Sequence, residues 1–269
     1  MKICVCGKGG SGKSTVVALL ATEFRRRGKR VLVVDSDESN AGLYRMLGLD
    51  APPTPLMELA GGKKNVQRSL RAALATGEDY QEMPVLAREQ LRTEDLPPEY
   101  VRRAVGMELV CIGKIHQALE GCACPMGVLS REFLKKLQTG PDEVVLVDME
   151  AGVEHFGRGI ETSVDVVLAV VEPSLESVDL AARIKELTAG AGARFAGAVL
   201  NKVGSGATQN HMEKALDQRG ILSLAAMPFR SEFVEAALDG SQVEPRPVQA
   251  EVSSLVDALL SGTATATSG

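Results

Sequence analysis

Short runs of apolar residues alternate along this chain with longer stretches in which apolar positions recur every three or four residues. The runs at 2–6, 30–35, 108–112, 143–148, 165–171, 195–200 and 221–226 are continuous and rich in Val, Leu and Ala. That is the composition of strands covered on both faces. Helices are predicted at 13–27, 127–137, 175–189, 209–219 and 248–260. The alternation predicts an α/β fold, a doubly wound and mostly parallel sheet flanked by helices, with ligands at the carboxyl ends of the strands. Residues 49–106 break the rhythm with Pro52-Pro53, Gly61-Gly62-Lys63-Lys64, two charged helical stretches and Pro97-Pro98. This segment reads as a largely helical excursion beyond the sheet, within a single domain spanning 1–260. The tail 261–269 is Gly, Thr, Ala and Ser, and is predicted to be flexible. No internal repeat is visible.

The first strand runs into Gly7-Lys8-Gly9-Gly10-Ser11-Gly12-Lys13-Ser14-Thr15. This matches the P-loop pattern G-x-x-x-x-G-K-[ST] between a predicted strand and a predicted helix, the context that confirms the motif. Glycines let the backbone wrap phosphate oxygens, and the helix N-terminus adds favourable potential. Lys13 is expected to reach the β- and γ-phosphates, and the Ser14 hydroxyl to ligate Mg²⁺. Lys8, a second lysine early in the loop, resembles the deviant Walker A signature of the family containing nitrogenase iron protein and the MinD and ParA ATPases. The resemblance implies a SIMIBI, MinD-like P-loop fold. It also implies that Lys8 crosses a homodimer interface to the partner's nucleotide, a type of contact worth on the order of 10³–10⁵ in rate.

Two strands end in carboxylates. The run 30–35 leads into Asp35-Ser36-Asp37, and Asp37 is placed to orient or deprotonate an attacking water. The resemblance makes Asp37 the switch I aspartate, whereas Asp35 alone fits a turn cap better. The run 143–148 ends at Asp148 in a Walker B pattern, expected to hold Mg²⁺. Gly152 follows in the switch II candidate, with His155 read as a switch residue rather than a metal ligand. After the run 195–200 come Asn201 and Lys202. The side-chain amide of Asn201 suits an adenine edge. Position 204 is Gly rather than the Asp that reads guanine, so ATP and ADP are expected rather than guanine nucleotides. Pro228 and Phe229 are candidate walls for the base, with core packing as the equal alternative for Phe229.

Composition narrows the partners. The 269 residues are 45% hydrophobic, 24% charged and 3% aromatic, without Trp, and carry a formal net charge of −5. A mildly acidic surface with few stacking side chains argues against nucleic acid. Its one dense basic run, 25–30, sits at a helix end, where cations favour the dipole. No stretch is apolar enough to span a membrane, and 251–261 lacks the positive charge of a membrane-binding helix. The N-terminal apolar run is too short for a signal peptide. A cytoplasmic protein is therefore expected, and its five cysteines are read as reduced, metal-binding or catalytic.

Two of those cysteines lie in a loop, 113–127, as Gly121-Cys122-Ala123-Cys124-Pro125. Neighbours this close make a strained disulfide, and they supply only two thiolates where a closed site wants four. Two copies across a twofold axis would complete a Cys₄ site suited to Zn²⁺, Ni²⁺ or an iron–sulfur cluster. Cys4 and Cys6 share one face of the first strand and read as small buried hydrophobes, and Cys111 belongs to a strand. His116 reads as a solvated loop residue. Together with Asp148-Met149-Glu150-Ala151-Gly152-Val153-Glu154-His155, the cysteine loop is similar to the CooC-type maturation ATPases. That resemblance implies an ATP-driven metallochaperone. It would bind Ni²⁺ or Zn²⁺ between the subunits of a homodimer through Cys122 and Cys124, for nickel insertion into carbon monoxide dehydrogenase. A MinD/ParA-like positioning ATPase and an iron–sulfur scaffold or redox ATPase are the competing readings.

Overall fold

A computed structural model describes residues 1–76, 86, 88–114, 124–153 and 159–264. Its first half comprises β1 (Lys2–Gly7), α1 (Lys13–Arg26), β2 (Arg30–Asp35), α2 (Leu43–Met46), α3 (Leu56–Leu59), α4 (Lys63–Thr76), β3 (Arg102–Ala104), β4 (Met107–Cys111) and α5 (Cys124–Lys136). The second half comprises β5 (Glu143–Asp148), β6 (Val166–Val171), α6 (Leu175–Ala189), β7 (Arg194–Val203), α7 (Gly206–Asp217), β8 (Ser223–Pro228), α8 (Ser231–Asp239) and α9 (Gln249–Ala264). The strands form one sheet in the order β3-β4-β2-β5-β1-β6-β7-β8, parallel throughout except for β3 against β4.

Strand alternation divides the core into two layers. Ile3 and Val5 of β1 face α1 and α9, packing with Leu19, Leu20, Phe24, Leu255 and Leu259. Cys4 and Cys6 point to the opposite face, among Val34, Leu129 and Phe133. These two thiols are fully buried with their sulfurs 3.3 Å apart, the small-hydrophobe role expected of them. Among the described residues no helix is long and apolar enough to cross a membrane.

Several elements differ from the sequence expectation. The described part of the segment 49–106 packs onto the sheet rather than standing beyond it: Leu56, Met57, Val66 and Leu70 bury into the second core layer. Its end also supplies β3, an edge strand too short and too charged to show an apolar run. Helix α5 starts at Cys124 rather than at Gly127, because Pro125 is preorganised for a first helical turn. Cys124 therefore opens a helix instead of lying within a loop. Helix α8 was absent from the pattern because none of its residues is buried. Helix α9 continues past Leu260 to Ala264.

The basic run 25–30 is largely neutralised within the chain. Arg26 and Arg27 pair with Glu23, Lys29 with Asp142, and Arg30 with Glu143. Glu23, fully buried on α1, also accepts from Gln249 Nε2 of α9 at 2.9 Å. The hydrogen bond from Arg26, then those from Arg27 and Gln249, hold its carboxyl at about 2. A depressed carboxyl contributes stability above its ordinary value of 4.5, which is lost as pH falls toward 2. Glu23→Ala is expected to lose about 2–3 kcal/mol at neutral pH by urea unfolding, and less as the pH drops through that window. A loss that did not change with pH would rule out this account.

Candidate active site

The carboxyl ends of β1, β2, β4 and β5 converge on the N-terminus of α1. Between β1 and α1 the chain makes turns that only glycine tolerates. Gly12 has φ +92°, and a Cβ there would strike the Asn201 amide. Gly7 lies so close to β6 that a Cβ would sit 2.5 Å from the Val170 carbonyl oxygen. The loop is braced by Ser11 N–H donating to Lys8 O at 3.1 Å and by Gly152 N–H donating to Gly7 O at 3.3 Å. Gly9 lies against Ala151, so the switch II candidate touches the loop at two points.

Three aspartates gather beneath this loop. Asp148 is fully buried, and its Oδ2 accepts from Ser14 Oγ at 2.6 Å. Ser14 Oγ in turn accepts from Asn40 Nδ2 at 2.7 Å. Asp148 Oδ1 is buried without a hydrogen-bond partner. Burial, reinforced by neighbouring Asp35, pushes the Asp148 carboxyl up to about 7. Burial also raises Asp35, to about 6, against the opposing pull of Lys114, whose Nζ lies 2.7 Å from Asp35 Oδ2. Asp37 closes a tight turn in which its Oδ1 accepts from Ser39 N at 2.9 Å and Ser39 Oγ at 2.6 Å. An orphaned, buried carboxylate oxygen beside a serine hydroxyl is costly to leave unmatched. Hard oxygen donors of this kind fit Mg²⁺, with Ser14, Asp37 and Asp148 as the residues to hold it directly or through water.

A cavity of about 490 Å³ opens above these groups. Gly10, Gly12, Lys13, Ser14, Thr15, Asp37 and Lys202 line it, together with Asn40, Arg45 and Met46 near α2 and Ala236, Ala237, Gly240 and Ser241 around α8. Lys13 Nζ donates to Lys8 O at 3.3 Å. Lys202, the one non-glycine residue with positive φ among those described, donates to Gly10 O. Asn201 lies behind the loop instead, with Nδ2 donating to Ser11 O at 2.8 Å. Lys8 turns away toward α6, 2.8 Å from Glu176 and 3.7 Å from Glu172.

Pro228 and Phe229 do not line the cavity. Phe229 N–H donates to Val203 O, which returns the chain beside β7 and leaves the ring half exposed, and α8 supplies the wall. Cys122, His116 and His155 lie outside the described residues, as does the side chain of Cys124. Cys111 is buried beside Asp35, and burial pushes its thiol up to about 12, far from reactive. Sequence reasoning passed over Asn40, Lys114, Arg45 and α8. For Asn40 and Lys114 the available signal was a polar residue just past the carboxyl end of a buried strand.

The profile of the CobQ/CobB/MinD/ParA nucleotide binding domain matches residues 3–243. The chain belongs to this family. Among its relatives, this CobQ/CobB/MinD/ParA member is 40% identical to an uncharacterized ATP-binding protein of Methanocaldococcus jannaschii, over 96% of this chain and 97% of that one. It is 34% identical to the carbon monoxide dehydrogenase accessory protein CooC of Rhodospirillum rubrum, over 88% of this chain and 86% of CooC. Its fold is similar to that of the cell division ATPase MinD of Pyrococcus furiosus, with a TM-score of 0.67 and 21% identity over 97% of this chain and 98% of MinD. The protein is thus an ATPase of the MinD/ParA type, with the eight-stranded sheet of that fold.

The raised carboxyls set a direction for stability. Asp35 and Asp148 bind protons more tightly folded than unfolded, so their support is full below 3.8 and is lost as pH rises through about 6 and about 7. The protein without nucleotide is expected to melt lower at about pH 8 than at about pH 5. Asp148→Asn should raise the midpoint at the higher pH and flatten the slope, while abolishing Mg²⁺-dependent ATP hydrolysis. Thermal melts across pH, paired with phosphate release, check this. A steeper slope in Asp148→Asn would contradict it.

Proposed function

We propose that this ATPase is a metallochaperone of the CooC type, a cytoplasmic homodimer whose ATP cycle governs a metal bound between subunits. The observation that carries the reading is the 34% identity to CooC over most of both chains, in a sequence that has Cys122-x-Cys124 beside its P-loop ATPase machinery. The topology supports it. The segment holding Cys122 leaves the sheet at the carboxyl end of β4 and re-enters as α5, on the same edge as Asp35 and Asp148.

In this reading the P-loop amides and Lys13 hold the phosphates of ATP. Ser14, Asp37 and Asp148 hold Mg²⁺, which when bound neutralises charge on the β- and γ-phosphate oxygens. The solved MinD of Pyrococcus horikoshii is a complex with Mg-ADP and has the same fold, with a TM-score of 0.65. Asp37 orients the attacking water and accepts its proton. Lys202 and the α8 wall border the nucleotide, with Asn201 fixing the loop from behind. Lys8 exchanges Glu176 and Glu172 for the partner's nucleotide when two copies close. Each copy brings two thiolates, so closure assembles four around Ni²⁺ or Zn²⁺, which is cargo for carbon monoxide dehydrogenase.

Purification without oxygen, followed by addition of Ni²⁺ or Zn²⁺ with ADP or a non-hydrolysable ATP analogue, is expected to give a dimer by light scattering with one metal per dimer. Cys122→Ser/Cys124→Ser should lose the metal. Lys8→Ala should keep nucleotide binding and lose on the order of 10³-fold in hydrolysis rate. Absence of thiol-dependent metal in every nucleotide state would reduce the protein to a dimerising ATPase with other cargo.

A further inference from the structure

Lys114 does not line the cavity, yet it reaches the segment that does. Its side chain is only 13% exposed, and its ammonium meets three acceptors: Asp35 Oδ2 at 2.7 Å, the Asp37 carbonyl and the Asn40 carbonyl. An ammonium has three donors, so this lysine is saturated. The two carbonyls stand at the two ends of the turn 37–40. That turn presents the Asp37 carboxylate to the cavity and sends Asn40 Nδ2 to Ser14 Oγ at 2.7 Å. Ser14 Oγ donates onward to Asp148 Oδ2 at 2.6 Å.

We infer that Lys114 is a positioning residue for ATP hydrolysis, clamping both ends of the turn 37–40 so that Asp37 and Asn40 meet the phosphate and Mg²⁺ side of the cavity in register. The inference rests on the roles assigned above to Asp37 and Ser14. The blander role, a counterion for buried Asp35, accounts for one of the three bonds. A buried counterion would need acceptors for its other two donors as well, but here both are carbonyls at the two ends of one turn. Catalytic groups tolerate little displacement, and errors near 1 Å cost about 10² in rate. Besides Lys114, the turn is held by Asp37 N–H on Asp35 Oδ1 at 3.2 Å and by the Asn40 side chain on Ser14, but Lys114 alone joins its two end carbonyls to each other.

The two roles separate in a paired substitution on the full-length enzyme, with Mg²⁺ and ATP as the probe. Lys114→Met removes both the counterion and the clamp. Lys114→Met/Asp35→Asn removes the clamp but leaves no buried lone carboxylate at that position, so melting recovers toward wild type. Both are expected to lose about 10² in kcat with KM for ATP nearly unchanged. Lys114→Ala should regain part of its kcat with added ethylammonium, which has the donors of the missing side-chain end. Asp37→Ala serves as the reference. Recovery of kcat together with melting in the double variant would show a counterion only and overturn the proposal. So would an undiminished kcat in Lys114→Met where Asp37→Ala is impaired. If Asp37→Ala is also unimpaired, the assigned role of Asp37 fails, and the clamp fails with it.

Discussion

Everything at the active edge is arranged around two buried carboxylates placed side by side. Asp35 and Asp148 are direct register partners at the ends of adjacent parallel strands, so the sheet itself forces them together. Burial raises both carboxyls, and a neighbouring carboxylate adds to it in each case, Asp35 for Asp148 and Asp37 for Asp35. The chain answers with Lys114 on Asp35 and with Ser14 on Asp148. It leaves Asp148 Oδ1 without a protein partner. That imbalance is what a Mg²⁺-binding edge requires. A site fully satisfied by its own side chains would have no reason to take up a cation.

The lysines of the site follow the same logic from the other side. Lys13 rests on a carbonyl of its own loop, Lys202 on Gly10 O and near Glu172, and Lys8 on Glu176 and Glu172. Glu172 is shared between Lys8 and Lys202 at 3.7 and 3.4 Å, beyond close hydrogen-bonding distance. Glu176 is 80% exposed, and ion pairs in water are readily exchanged for a better anion. Phosphate groups, carrying more charge on more oxygens, compete well against backbone carbonyls and a solvated carboxylate. The loop thus holds its cations near the cavity without committing them.

The P-loop was legible because its chemistry is local. Glycine freedom, the lysine and the hydroxyl all lie within residues 7–15, and the loop's place between strand and helix confirmed it. Asp148 was legible for a related reason, since a buried strand ending in an acid shows in a short window. Asn40 and Lys114 offered only the weak signal of a polar residue past a strand end, because what each does depends on a partner far along the chain: Asn40 through Ser14, and Lys114 through Asp35, Asp37 and the Asn40 carbonyl. No periodicity records such a meeting. Helix α8 escaped because it is short and its Phe233 and Ala236 are only partly covered by the core, although it walls the cavity. Strand β3 escaped because its pairing is set by Met107, Glu108 and Leu109 of its neighbour, while its own Arg102-Arg103-Ala104 shows no strand pattern.

The same long-range contacts bear on how nucleotide chemistry would reach the cysteines in the proposed cycle. Lys114 stands at the end of the chain that leads out toward Cys122, and it grips the turn 37–40. On the returning side, Ser130 of α5 shares a 2.6 Å hydrogen bond with Ser36. Between the two, Gly113 packs so tightly on Met126 that a Cβ would lie 2.8 Å from its sulfur. The departing and returning chains are therefore fastened to each other and, separately, to the residues that flank Asp37. In the proposed metallochaperone cycle a displacement of the turn 37–40 would reach one flank of the cysteine segment through the Lys114 bonds, and the other through Ser36 and Ser130 and through Gly113 on Met126.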